Sequence, residues 1–85
     1  MDSVIAVFRS RSETLGYSNL LRSYGVDVKV INTPREVNVS CGISVKFDIT
    51  YIKEARDILT RRRFDTFAGF YLVKKMGNKF FVKPI

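Results

Sequence analysis

The chain has 85 residues, 46% of them hydrophobic, with fifteen Lys and Arg against eight Asp and Glu and a net charge of +7. That length makes one domain over residues 1–85 the default, and the apolar content suits a small core rather than disorder. One cysteine excludes an internal disulfide, and the absence of histidine removes His-based acid–base catalysis, Ser-His and Cys-His pairs and His metal sites.

The opening run "VIAVF", Val4 to Phe8, has the length and continuity of a central strand. Ser10 and Glu13 stand at capping-box spacing before a helix. In that helix Leu15, Tyr17, Leu20, Leu21 and Tyr24 recur at helical spacing, and Gly25 falls at the C′ position. Gly16 weakens the helix by roughly 1 kcal/mol relative to Ala, and close packing against a neighbour would explain it. Val26, Val28 and Val30 alternate with Asp27 and Lys29 as a half-buried strand, which Pro34 breaks.

Ile43, Val45 and Phe47 form a third strand. Asp48 or Thr50 caps a second helix, with Ile52, Ala55, Ile58, Leu59 and the stem of Arg62 as its buried stripe. Phe67 to Val73 is a fourth strand, "KKMGNK" a hairpin turn, and "FFVKP" a fifth strand ended by Pro84. The order predicts an α+β, ferredoxin-like βαββαβ fold with an antiparallel sheet and an extra C-terminal strand. The core is expected over residues 3–73 and the added hairpin over 67–84. On this plan Arg9 to Ser12, Asn32 to Arg35, Cys41 and Arg61 to Arg63 gather at one end. The first strand is apolar on both faces, so Ile5 and Val7 need a cover, and the C-terminal hairpin or a second subunit would supply it.

The segment "TPREVNVSCGISVKF" holds the only cysteine, at a loop–strand junction. Thr-Pro-Arg followed by Ser-Cys-Gly and an alternating strand resembles the selenium/sulfur carrier-like domain family of bacterial and archaeal proteins. The matching residues are Thr33, Pro34, Arg35, Ser40, Cys41 and Gly42. Similarity extends over roughly residues 3 to 70, through "GVDVKVINTPRE" and "FDITYIKEARDIL". "RRRF" and the C-terminal hairpin depart from the shorter family pattern.

The resemblance implies a sulfur or selenium carrier rather than an enzyme, with Cys41 taking cargo from a donor protein and passing it to an acceptor. A carrier cysteine must react as the thiolate. Nearby arginines and a helix N-terminus favour that anion. Arg35 and Arg11 are the candidate stabilisers. Ser40 would donate a hydrogen bond, and Gly42 would give close backbone access or take positive φ. Thr33 and Pro34 shape the loop. The plainer alternative is a packed cysteine, since free cysteines are often buried. Thr33 to Arg35 would then be only a turn.

The positive charge attracts anions of several kinds. Arg61, Arg62 and Arg63 form the densest cluster, at a helix end favoured by the macrodipole. RNA-binding sheets display aromatics on their open face, whereas the third strand shows Ser44 and Lys46 outward. Nucleic acid is therefore not the favoured partner. The rival reading is a basic interaction module for protein or nucleic acid, in which Cys41 is structural. A homodimer through the open sheet face or the hairpin is the remaining expectation for partners. No cofactor or metal is expected, because no phosphate loop, acid pair or ligand cluster occurs in the sequence. No apolar run approaches the ~18 residues of a membrane span, and the first residues do not read as a signal peptide, so the expected location is cytoplasmic.

Overall fold

The computed structural model describes residues 2–38 and 41–85. Among these residues the chain forms β1 (Ser3–Phe8), α1 (Arg11–Ser23), β2 (Val28–Asn32) and β3 (Ile43–Asp48). A 3-10 turn (Ile49–Tyr51) then leads into α2 (Ile52–Arg61), followed by β4 (Phe67–Met76) and β5 (Lys79–Pro84). The fold is mixed α+β, with one open sheet in the order β2-β3-β1-β4-β5 and antiparallel neighbours throughout.

β1 sits at the centre because its sequence is apolar on both faces. Val4, Ala6 and Phe8 point to the helices and pack with Tyr17, Leu21, Ala55 and Ile58. Burial of each Val or Phe side chain contributes about 1.5–3 kcal/mol. Ile5 and Val7 point to the other face and are equally buried. Their cover is Val37, reaching in from the segment between β2 and β3, with Ile31, Tyr71, Val73 and Val82 around it. The expected cover was the C-terminal hairpin or a second subunit; the hairpin supplies Tyr71, Val73 and Val82, and Val37 from the β2–β3 connection completes the cover with Ile31 of β2.

Both ends of α1 follow from local sequence. The Ser10 side chain accepts from the Glu13 N–H at 3.2 Å. At the other end Gly25 has φ 85°, and Gly25 and Val26 donate to the Arg22 and Leu21 carbonyls, a Schellman closure that a side chain at position 25 would strain. The buried stripe is rotated from the expected one. It runs Thr14, Tyr17, Ser18 and Leu21, while Leu15 and Tyr24 are exposed. Tyr17 decides the rotation, since its ring packs on Phe8 and Phe64 and its hydroxyl donates to the Ala55 carbonyl at 2.7 Å. Gly16 is exposed, and a Cβ there would meet nothing within 4 Å, so it does not serve close packing.

In the second half, Asp48 caps the 3-10 turn by accepting from the Thr50 N–H at 2.9 Å, while α2 itself starts after Tyr51 with no side-chain cap, so neither Asp48 nor Thr50 caps it directly. Ala55 and Ile58 are buried, with Ile52 and Leu59 packed beside them. Arg62 ends the helix in extended conformation and is exposed, outside the stripe. β4 runs three residues past Val73, to Met76, before turning at Gly77 and Asn78 into β5.

Candidate functional site

Cys41 lies just before β3, where several segments meet. Its N–H donates to the carbonyl of Phe8, the last residue of β1, at 3.3 Å. The next residue, Gly42, accepts from the Thr33 N–H at 2.9 Å, and the Thr33 hydroxyl meets the buried Ser44 hydroxyl at 2.6 Å. These bonds clamp the two ends of the β2–β3 connection together. Gly42 has φ 98°, a region that favours glycine, and its Cβ position is open space. Its role is thus conformational, the positive φ being one of the two alternatives expected for it, and no described atom crowds its Cβ position.

Cys41 is half-buried, and its sulfur sits on the helix side of the sheet. Sγ lies 3.5 Å from Thr14 Oγ1, in the first turn of α1, and 3.7 Å from the Ile43 carbonyl. Thr14 Oγ1 also donates to the Ser10 carbonyl at 2.9 Å. A hydroxyl has one proton to give. With that proton on Ser10, the thiol is the donor to Thr14 or Ile43. If the thiol ionises, Thr14 can turn its proton to the sulfur, and the Ser10 carbonyl keeps the Thr14 N–H at 3.0 Å. Sequence reasoning passed over Thr14. The signal was its position three residues before Tyr17 and seven before Leu21, on their helical face.

The other expected site residues spread out. Arg11 is the first residue of α1 and exposed; Arg35 is exposed in the turn that Val37 N–H closes onto the Pro34 carbonyl. Neither makes a hydrogen bond or ion pair with a described residue. Pro34 walls a groove on the opposite sheet face. Ser40 lies outside the described residues.

Glu13 ties a further segment to this end. Its carboxylate accepts from the Asp65 N–H, the Thr66 N–H and the Thr66 hydroxyl, at 3.1, 2.9 and 2.6 Å. The Thr66 hydroxyl bond foremost, then the Thr66 N–H, holds the Glu13 pKa below its usual value. Thr66 also bonds the Arg9 and Ser10 N–H groups.

Arg61 and Arg62 do not join this cluster, and Arg63 touches it only through its ion pair with Asp65 at 2.9 Å. Arg61 lies against Tyr24, at the far end of α1, and pairs with Asp57 at 2.9 Å; Tyr24 first and then Asp57 stabilise its charge. Arg62 and Arg63 line a groove of about 420 Å³ with Asn19, Leu20 and Ser23. The chain then runs back along α1 until Asp65 and Thr66 reach Glu13. The expectation failed because α2 ends beside the second half of α1, so the arginines stop short of the thiol.

Residues 3–71 match the protein family described as "Putative Se/S carrier protein-like". The chain belongs to that family. Neither a search of curated proteins nor one of solved structures found a match. The family segment includes β1 through the first half of β4 and the whole cysteine connection; β5 lies outside it. Among the described residues no helix is long and apolar enough to cross a membrane.

Proposed function

We propose that this Se/S carrier-like chain carries sulfur or selenium on Cys41, on a ferredoxin-like sheet extended by one strand. The observation that carries the reading is the half-buried Cys41 with its sulfur beside the Thr14 hydroxyl, within the segment matched by the family. The thiolate attacks the outer sulfur of a donor persulfide. A new S–S bond forms as the donor's breaks, and the donor sulfur leaves as a thiolate that takes up the proton Cys41 lost. The exchange is redox-neutral, and an acceptor reverses it. Selenium follows the same steps through a selenopersulfide.

Arg11 and Arg35 supply a positive field on segments that meet near the thiol, and the persulfide, itself an anion, profits from the same field. Gly42 sets the loop conformation, Thr33 clamps it to β3, and Ser40 is the remaining donor proposed for the sulfur. The chain acts between donor and acceptor proteins in the cytoplasm and does not turn over alone. Alkylation by iodoacetamide at neutral pH tests this reading. Cys41 should react in the folded protein at least as fast as a cysteine in a short peptide. Protection until unfolding would instead support the structural cysteine of a basic binding module.

A further inference from the structure

β5 is the outer strand, and its pairing leaves one edge open. Ile85 donates to the Phe70 carbonyl, and the register pairs Lys83 with Leu72 and Phe81 with Lys74. Antiparallel alternation therefore turns the N–H and C=O groups of Phe80 and Val82 away from β4. Phe80 and Phe81 are 59% and 52% exposed, on opposite faces of this strand. From Phe67 to Ile85 the chain carries four lysines and no acidic residue. Phe80 and Val82 also wall an apolar groove of about 350 Å³, shared with Ile31, Pro34 and Val73.

We propose that the β5 edge takes an extended acidic segment of another protein as a sixth strand. The open edge presents donors and acceptors alternately, and only a peptide backbone answers both; phosphate groups of nucleic acid or lipid offer acceptors alone. Charge selects the sequence. Lys79 and Lys83 flank Phe81 on one face, so the added strand matches them with acidic residues there. It places apolar side chains beside Phe80 and Val82 on the other. A second copy of this chain is disfavoured because it would set the lysines of one hairpin against those of the other. Pro84 has no N–H to offer, which ends the usable edge.

The inference is independent of Cys41. The probe is a short blocked peptide of alternating valine and glutamate, read by fluorescence anisotropy and by amide hydrogen exchange on the full chain. Expected are saturable binding, slowed exchange at the Phe80 and Val82 amides, and no dependence on Cys41→Ser. Val82→Pro removes an outward N–H without touching the β4 ladder, and K79E/K83E reverses the charge. Each should weaken binding by about tenfold or more with melting retained. Should Val82→Pro lose its melting transition, the exchange result alone decides. No binding, unchanged exchange at both amides, or equal binding by the valine–lysine peptide would overturn the proposal. Binding only to a uridine oligonucleotide or phosphatidylserine vesicles would do the same, as would self-association through β5.

Discussion

The Sγ of Cys41 lies 3.5 Å from Thr14 Oγ1, whose proton rests on the Ser10 carbonyl. The hydroxyl can move that proton to a sulfur anion without orphaning Ser10. Thr14→Val removes the donor at constant shape. It should slow alkylation of Cys41 at neutral pH by roughly threefold to tenfold, since a charge-assisted hydrogen bond contributes about 1.5–3 kcal/mol and lost thiolate is partly offset by greater nucleophilicity. Thr14→Ser should restore the rate. Equal rates in all three proteins would remove Thr14 from the site.

Ser18 sits one turn further along the same face, and its buried Oγ has no hydrogen-bond partner among the described residues. A buried, unsatisfied hydroxyl costs about 1–3 kcal/mol. Ser18→Ala should therefore raise stability by about 1 kcal/mol in urea titration. A loss of stability would mean the hydroxyl is satisfied by bound water.

Glu13 gives acid sensitivity a definite sign. Its folded pKa is depressed below 4.5 by the Thr66 hydroxyl and amide. Its contribution is therefore fully present above pH 4.5 and is lost as pH falls through the folded value. Glu13→Gln should lower stability at neutral pH and flatten the acid limb below that point. Parallel pH profiles for the two proteins would contradict the assignment.

Val37 is the side chain that closes the sheet face over Ile5 and Val7. Val37→Ala should cost about 1–2 kcal/mol by transfer and cavity terms. Because Val37 also anchors the connection that carries Cys41, its amides and those of Gly42 should exchange faster. A stability loss with unchanged exchange at Gly42 would show that the cysteine end is held by the Phe8 and Thr33 bonds alone.

Four strands were legible because each alternates or runs apolar, whereas β2 runs Val28–Asn32, two residues beyond the Val26 to Val30 alternation, with Val30 exposed; the closure of α1 was legible because Gly25 has the required left-handed φ. Two polar residues misled the reading of α1. Thr14 and Ser18 count as solvent-facing by type, yet Tyr17 turns their face inward, and Leu15 is left outside. Spacing identified Ser10 as a cap but not the partner of Glu13, which lies 53 residues away at Thr66 and depends on where the chain returns. Val37 carries no periodic signal, so its role as a lid appears only in the fold. Cys41 was legible through its motif, and its helix-side placement follows from the parity it shares with Ile43.

Sulfur loading of Cys41 tests the central claim most directly. The folded protein is incubated with a small-molecule persulfide, freed of excess donor and weighed intact by mass spectrometry beside Cys41→Ser. The account predicts a mass gain of one sulfur atom, confined to Cys41, absent in the serine variant and removed by a thiol acceptor. An unmodified Cys41 in a protein that remains folded, or the same gain in Cys41→Ser, would contradict it.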